Sequence, residues 1–382
     1  MRILWHSVPP FIGTGYGTQT KIMLRALKRM GHEVAVSAIV GSPLTTLMWD
    51  GIKIFPDSGA SCKYGMDMVK THAQRWGADV VISWIDAFSV DPAVAKDLKW
   101  AAWVPVDSEP LMVRNVKPLQ ACKWVMATTK WGVRMLNDAG LNDAMLLPCA
   151  HDPALFFPMT SVDNCKQEFG RTINRDLKDK FLVNVISANA GGRKNFQAIY
   201  TAWKIFQKNH SDALLYLHTD VTGYFSGGND LIEMAKVYGI DNDSVFYASQ
   251  WEYNTGQLSE DYLNLCYNAS DIHLNCCYGE GFGLPIMDAQ AAGCPTIVPD
   301  FAAATEVGLC YKIKKGQMYS TVPGALQFMV DPDAVVEQLE EAYSKRKEVD
   351  RFVISDRTEP WRVNNVVATY LEPFLSRMES EK

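Results

Sequence analysis

The sequence lacks long apolar runs. None approaches the roughly 18 consecutive apolar residues that a membrane-spanning helix needs. The chain begins with Met1 and reaches His6 and two prolines within ten residues, which does not resemble the apolar core of a signal peptide. No transmembrane segment is predicted, and we expect a cytoplasmic protein.

Motifs for metal or redox chemistry are also missing. The nine cysteines are scattered and show no C-x-x-C spacing, so small buried thiols in a reducing compartment are expected. Two Asp-x-Asp pairs, Asp241 with Asp243 and Asp331 with Asp333, stand in turn-like contexts, where surface loops are expected. The sequence therefore predicts no metal site.

Positive charge is scarce as well. The formal net charge of -6 gives no global attraction to nucleic acid or to an anionic membrane, although a local basic groove remains compatible with it. This net charge makes binding to nucleic acid or to another polymer less expected but does not exclude it.

What the chain has is two series of β-rich runs separated by amphipathic stretches. The first series covers residues 2–8, 33–40, 79–85, 100–107, 124–128 and 144–148, and the second covers 181–188, 213–218, 244–247, 271–276 and 295–298. Alternating strands and helices predict parallel sheets covered by helices, and 382 residues are enough for two cores. We predict an α/β fold with two Rossmann-like, doubly wound domains, which bind ligands at the carboxyl ends of their strands and face a cleft.

The predicted domains cover residues 1–165 and 166–358. The boundary is placed in the polar stretch 159–175, where the apolar periodicity lapses. Residues 359–382, with a helix from Pro360 to about Met378, are predicted to pack back toward the first domain.

The segment 279–300 contains the strongest functional signal. Its glycine-rich loop leads into a helix, and the free N–H groups of Gly283 and Leu284 would form an anion site suited to a diphosphate. Glu280 and Asp288 add two carboxylates, which accept hydrogen bonds from hydroxyl groups such as those of sugars and riboses. Alternatively, Glu280 is a surface carboxylate and Asp288 only favours the positive end of the helix.

This segment resembles the E-x7-E signature of retaining GT-B glycosyltransferases of family 4, also called group 1, with Asp288 where the family usually has Glu. The resemblance implies that Glu280 contacts the transferred sugar and that Asp288 contacts the ribose. The side chain of Asp288 is one methylene shorter than that of Glu, so it reaches less far toward the ribose. The other residues predicted to bind the donor in this segment are Gly281, Phe282, Gly283 and Leu284.

Two further stretches agree with the resemblance. The segment G-T-G-Y-G at 13–17 is similar to the family's N-terminal glycine loop, and Gly15 and Gly17 are predicted to bind the donor. Glycines there would let the backbone approach a bound phosphate or acceptor closely. A tight strand-to-helix turn is the alternative. The segment 148–158 resembles the interdomain hinge, and we expect His151 there to make a local hydrogen bond rather than to catalyse.

Arg193 and Lys194 match the family's R-K-G element, whose lysine contacts the donor diphosphate. The resemblance implies that both cations neutralise the departing nucleoside diphosphate. A solvated pair at the start of a helix is the alternative. Ala188 and Asn189 stand where the family commonly has another arginine, and we expect Arg193 to substitute for it.

Three acidic residues complete the predicted site. Glu306 resembles the residue that closes the family's donor motif, and a helix-start carboxylate is an equal alternative. Asp107 follows the position where many relatives have a histidine that touches the donor sugar, so it is the candidate for a sugar or acceptor contact. Asp86 is the other acidic residue that we expect to face the cleft.

The resemblance implies metal-independent transfer of a sugar, with retention, from a nucleoside diphosphate sugar to a hydroxyl acceptor on a glycan or a small molecule. The nucleotide-sugar is a substrate, so no cofactor is expected, and UDP is the commonest nucleotide in the family. One alternative acceptor is a modified nucleic-acid base, stacked on the abundant Trp and Tyr residues. Another alternative is an inactive module that binds a nucleotide or glycan. The acceptor and the oligomeric state are left open by the sequence.

Overall fold

The computed structural model describes residues 1–42, 45–59, 62–224, 227–322 and 324–381, without the side chain of Thr321. They form two units. Unit 1 comprises Met1–Ala150, Val322–Ala325 and Trp361–Lys382, and unit 2 comprises His151–Thr321 and Leu326–Pro360. No helix in the described ranges is long and apolar enough to cross a membrane.

Unit 1 contains one eight-stranded sheet. Its strands are β1 Arg2–Ser7, β2 Glu33–Ala38, β3 Leu47–Trp49, β4 Ile52–Phe55, β5 Val80–Trp84, β6 Trp100–Val104, β7 Trp124–Ala127 and β8 Met145–Leu146. Their order across the sheet is β3-β4-β2-β1-β5-β6-β7-β8. Neighbouring strands are parallel except β3 and β4, which are antiparallel. Strands β1, β2, β5 and β6 are almost wholly buried, as expected for a sheet covered on both faces.

Helices cover this sheet. They are Gly15–Arg29, Met66–Trp76, Pro92–Lys96, Val113–Gln120 and Lys130–Asp138, with a short 3-10 helix at Ala87–Ser89. The first helix begins after Thr14, whose side chain accepts a hydrogen bond from the N–H of Gly17. Large aromatic side chains fill the core, among them the fully buried Trp5, Trp100 and Trp103.

Unit 2 contains a six-stranded sheet and a two-stranded sheet. The strands are β9 Phe181–Ile186, β10 Ala213–His218, β11 Val245–Tyr247, β12 Ile272–Leu274, β13 Thr296–Pro299, β14 Tyr311–Ile313, β15 Gly316–Val322 and β16 Ala325–Val330. The larger sheet is parallel throughout, in the order β11-β10-β9-β12-β13-β14, and β15 pairs with β16.

The helices of unit 2 are Val162–Ile173, Phe196–Gln207, Leu231–Tyr238, Gln250–Asn254, Glu260–Ala269, Leu284–Ala291, Ala303–Val307, Pro332–Lys345 and Arg351–Asp356. The core is built around Phe196–Gln207, where Phe196, Tyr200, Trp203 and Phe206 recur at helical spacing and are all buried.

The division between the units falls after Ala150, earlier than residue 165. The side chain of Gln19 accepts from the Ala150 N–H at 2.9 Å and donates to the Ala150 carbonyl at 2.7 Å, which ties Ala150 to unit 1. The boundary was predicted within the polar stretch 159–175, where the apolar periodicity lapses, but this stretch contains the helix Val162–Ile173. Ser161 caps this helix, and the side chain of Phe169, within the helix, is fully buried.

The C-terminal segment differs from the single helix predicted over 360–378. A 3-10 turn at Glu359–Trp361 is followed by helix Val363–Val366, a π-helical turn at Val367–Leu371 and helix Glu372–Ser380. Pro373 explains the interruption, because it lacks an N–H and its ring collides with the carbonyl of the preceding turn.

Candidate active site

Predicted donor residues lie on three segments of unit 2 that each follow a strand. Arg193 and Lys194 follow β9, Glu280 follows β12, and Glu306 follows β13. Strands β9, β12 and β13 are adjacent and parallel, so their carboxyl ends lie at one edge of the sheet. The structure therefore brings these segments to the same edge of unit 2.

A charged cluster of Arg193, Lys194 and Glu280 lies at this edge. The Lys194 Nζ is 2.6 Å from Glu280 Oε1, and the Arg193 Nη1 is 3.3 Å from Glu280 Oε2. The side chains of Lys194 and Glu280 are 13% and 10% exposed, whereas Arg193 is 36% exposed. The two cations and the carboxylate that the sequence singled out are thus in direct contact.

The surroundings hold Glu280 in its ionised form. Burial alone would raise the pKa of Glu280, but Lys194 and Arg193, with hydrogen bonds from Lys194 and Asn275, lower it from 4.5 to about 2. Glu280 is consequently a carboxylate at neutral pH. It can accept hydrogen bonds from hydroxyl groups, but it has no proton to donate.

Local backbone structure fixes the cluster. Asn195 adopts a left-handed conformation, with φ of 54°, and its side chain caps the helix Phe196–Gln207. The N–H of Tyr278 donates to the carbonyl of Arg193 at 3.0 Å, which joins the two loops. Asn275 donates to Glu280 Oε1 at 3.3 Å.

The helix Leu284–Ala291 begins beside Glu280. Gly283 precedes it with φ of 89°, and a Cβ there would lie 2.8 Å from the side chain of Ile286, so glycine is required. Within the described part of the chain, the N–H groups of Phe282, Gly283 and Leu284 have no protein acceptor. Three consecutive N–H donors at a helix N-terminus are suited to binding an anion.

Asp288 lies one turn into the same helix. Its carboxylate accepts no hydrogen bond from any described residue. Burial, with a smaller contribution from Glu260, raises the pKa of Asp288 from 3.8 to about 8. Asp288 is therefore a carboxyl group whose hydrogen-bonding capacity is unused by the protein.

Glu306 lies, partly buried, in the short helix Ala303–Val307. The N–H of Ala303 donates to the carbonyl of Glu280 at 3.3 Å, so this helix adjoins the charged cluster. Lys312 Nζ donates to the carbonyls of Ala304 and Thr305.

Sequence reasoning missed Gln290, which connects these elements. Its side chain donates to the carbonyl of Val307 and accepts from Thr296 Oγ1 and from the N–H of Leu309, at 2.8, 2.9 and 2.6 Å. Gln290 is fully buried, two residues after Asp288 in a helix whose other residues are apolar. A polar residue in so apolar a helix was the signal that could have revealed it.

The remaining predicted residues belong to unit 1. Gly15 is the first residue of the helix Gly15–Arg29, and a Cβ on Gly17 would lie 2.1 Å from the carbonyl oxygen of Ile12. Gly17 is thus required by the tight turn, which was one of the two interpretations of this loop. Asp107 lies beyond the end of β6 and is partly buried.

Asp86 follows β5 and accepts a hydrogen bond at 2.8 Å from the hydroxyl group of Tyr16, in the glycine loop. The buried His151 of unit 2 has its Nε2 3.2 Å from Thr358 Oγ1, a local hydrogen bond.

The Asp-x-Asp pairs have structural roles. Asp241 accepts from the N–H of Asp243 in an exposed turn. The prediction of a surface loop for Asp333 is wrong, because it lies in the first turn of the helix Pro332–Lys345, which Asp331 caps. Within the described ranges, no group of three or more His, Cys, Asp or Glu side chains could hold a metal ion.

Comparison with known proteins identifies the family. No curated protein matches the sequence. The sequence profile of the glycosyl transferases group 1 matches residues 167–357, half of the 382-residue chain, and this range includes Arg193, Lys194, Glu280 and Asp288.

The structure resembles three solved structures over nearly their whole lengths. They are sucrose-phosphate synthase from Thermosynechococcus elongatus (TM-score 0.77, 14% identity, 100% of both chains), a glycosyltransferase from Rickettsia africae (0.71, 13%, 100% of this chain and 99% of that chain) and Anabaena HepE in complex with UDP and glucose (0.68, 13%, 98% and 100%). These likenesses confirm the predicted GT-B fold. The chain belongs to the group 1 glycosyltransferases, as the E-x7-E-like segment predicted.

Proposed function

We propose that this glycosyltransferase transfers a sugar from a UDP-sugar to a hydroxyl acceptor with retention of configuration. The observation that carries the proposal is the charged cluster of Arg193, Lys194 and Glu280 beside the free N–H groups of residues 282–284. The structure of HepE, which contains UDP and glucose, supports the choice of nucleotide.

In this proposal unit 2 holds the donor. The diphosphate receives hydrogen bonds from the N–H groups of Phe282, Gly283 and Leu284 and is neutralised by Lys194 and Arg193. Glu280 accepts hydrogen bonds from hydroxyl groups of the transferred sugar, because its pKa of about 2 keeps it ionised. Asp288 accepts hydrogen bonds from the ribose, using a carboxyl group that the protein leaves unpaired. Glu306, on the adjoining helix, completes the donor site.

The chemical step breaks the bond between the anomeric carbon and the diphosphate oxygen and forms a bond between that carbon and the acceptor oxygen. The acceptor's proton passes to the leaving diphosphate. Positive charge develops on the sugar and negative charge on the diphosphate, so Lys194 and Arg193 stabilise the transition state more than the ground state. The chain supplies this stabilisation with its own cations, and the scheme routes no step through a metal ion.

Unit 1 contributes the acceptor side in this proposal, with Asp107 as a candidate contact and Gly15 and Gly17 shaping the loop near the ligand. We also propose a cytoplasmic location. All nine cysteines are free, which fits a reducing compartment.

The test is donor hydrolysis and transfer by the full chain, screened with UDP-, GDP- and ADP-sugars. Lys194→Ala and Glu280→Ala should each reduce turnover on the order of 10²-fold or more, because each removes charge aligned with the reacting groups. Lys315→Ala and Glu337→Ala are matched controls, since these residues form a lysine–glutamate pair at the same 2.6 Å distance with side chains 65% and 56% exposed.

Wild-type turnover in both site variants would contradict the assignment of the site. UDP binding without any turnover by the wild-type chain would instead indicate a binding module. Thermal unfolding of each variant separates loss of activity from loss of folding.

A further inference from the structure

Three side chains meet at the carboxyl ends of β1 and β5 in unit 1. Tyr16 is in the first turn of the helix that follows β1, Trp84 ends β5, and Asp86 lies just beyond it. The rings of Tyr16 and Trp84 have their centroids 5.0 Å apart, and the Tyr16 hydroxyl donates to Asp86 Oδ1 at 2.8 Å. We call these three residues the Tyr16 cluster.

The cluster contains hydrogen-bonding groups that the described residues do not use. The Trp84 Nε1 is buried and has no acceptor among the described residues, and Trp84 is only 4% exposed. The second carboxylate oxygen of Asp86 accepts no hydrogen bond from the described chain. A buried donor without an acceptor is unfavourable, and an ordered water or a ligand can satisfy it.

The orientation of Asp86 is a second sign. Asp86 occupies the N-cap position of the 3-10 helix Ala87–Ser89, where an aspartate usually accepts from the helix N–H groups. Its side chain makes no such bond and turns to Tyr16 instead. The carboxylate is therefore held at the ligand-binding edge of the sheet rather than used to stabilise the helix.

We propose that the Tyr16 cluster is the acceptor subsite and that the acceptor is a neutral saccharide. This inference rests on the proposed function. The partly exposed ring of Tyr16 offers an apolar surface to the face of a sugar ring. Asp86 accepts from a sugar hydroxyl, and the buried Trp84 Nε1 donates to a sugar oxygen through an ordered water.

The charge of the cluster selects against the other acceptor classes. The Asp86 carboxylate repels a phosphorylated sugar placed at the same position. A nucleic acid would bring a row of phosphates to a chain whose net charge is -6. A neutral, hydroxyl-rich ring fits both the aromatic surface and the carboxylate.

The experiment uses the full chain saturated with UDP and measures ligand binding by saturation-transfer NMR. The probes are glucose, galactose, mannose, N-acetylglucosamine and maltose, with glucose 6-phosphate and a single-stranded oligonucleotide as the competing classes. Variants are Tyr16→Ala, Asp86→Asn and Trp84→Phe, and Tyr319→Ala, at an exposed tyrosine of β15, is the control. Thermal unfolding of each variant and its affinity for UDP are measured alongside.

We expect at least one neutral saccharide to bind. Tyr16→Ala and Asp86→Asn should weaken its binding about tenfold or more, while UDP affinity stays within about twofold of wild type. The inference is overturned if no neutral saccharide binds, if only glucose 6-phosphate or the oligonucleotide binds, or if folded Asp86→Asn and Trp84→Phe both keep wild-type affinity. Failure of the proposed function would appear elsewhere, as a wild-type chain that neither binds UDP nor hydrolyses a donor.

Discussion

The carboxyl-terminal edges of the two parallel sheets use different chemistry. In unit 2 the edge holds a compact ion cluster, in which Lys194 and Arg193 both contact Glu280. In unit 1 the edge holds aromatic rings, with Tyr16 on Trp84 and Trp84 on Trp103 at 5.0 and 4.1 Å between centroids. The same strand-and-helix architecture therefore presents two edges of opposite chemical character.

This difference shows that the fold places residues at an edge but does not choose their chemistry. Two cations around one carboxylate leave a net positive charge, which suits an anionic ligand such as a diphosphate. Aromatic rings beside one carboxylate suit a neutral ligand with apolar faces and hydroxyl groups.

Breaking the ion cluster should have the largest effect on stability. Lys194→Met leaves the buried Glu280 with the more exposed Arg193 as its cationic partner, so we expect a loss of about 3 kcal/mol in the free energy of unfolding, measured by urea denaturation at pH 7. The double variant Lys194→Met, Glu280→Gln should recover part of that loss, because the unpaired charge is then removed.

Lys315→Met is the matched control for this experiment and should cost much less stability, since its pair with Glu337 is exposed. Equal losses in the two lysine variants would contradict the importance of the buried cluster. The stabilisation that Glu280 contributes should be present above its unfolded pKa of 4.5 and disappear as the pH falls toward 2.

Changing the aromatic edge should cost somewhat less. In Trp103→Phe the Leu147 carbonyl loses the Nε1–H donor that lies 2.7 Å away, and we expect a loss of about 2 kcal/mol in the free energy of unfolding. Because no ionisable group is involved in this contact, the loss should be the same at pH 5 and pH 8.

Trp251→Phe, at an exposed tryptophan, is the control and should unfold like the wild type. If the cost of Trp103→Phe varied with pH as strongly as that of Lys194→Met, the contrast between the two edges would not hold.

The smallest expected effect concerns Asp288. With a pKa of about 8 in the free protein, its ionised fraction rises from about a tenth at pH 7 to about nine tenths at pH 9. If the ionised form binds the ribose, affinity for UDP should increase roughly tenfold over this range, measured by isothermal titration.

Asp288→Asn supplies the control, because it keeps the size of the side chain and removes its titration. The phosphate groups are largely ionised by pH 7, so the variant should bind UDP with little pH dependence. A wild-type profile that matches the variant would remove Asp288 from the ribose contact.

The sequence predicted unit 2 better than unit 1 because the informative residues there are close in sequence. Glu280, the glycines and Asp288 fall within one loop and helix, and the helix Leu284–Ala291 begins where Pro285 suggested. The predictions of the GT-B fold and of the family are confirmed. The roles of the individual residues stay predictions.

Other features depend on contacts that are distant in sequence. Gln290 meets residues 296, 307 and 309, and Trp84 meets Tyr16 from another strand and helix. The short hairpin strands β3 and β4 were not predicted, because three or four residues are too few to show a period. The helix Val162–Ile173 was missed because only a narrow stripe of it is apolar.

Unit 1 is built from segments that are far apart in the sequence, and this has a consequence for biosynthesis. Residues of its C-terminal segment complete contacts made near the middle of the unit, as when Glu381 accepts from the Trp124 indole N–H at 2.8 Å. A ribosome moving at about 5–20 residues per second delivers that segment tens of seconds after Met1–Ala150. Unit 2 can therefore acquire its full set of contacts first, and the part of the chain made earliest is the last to be finished.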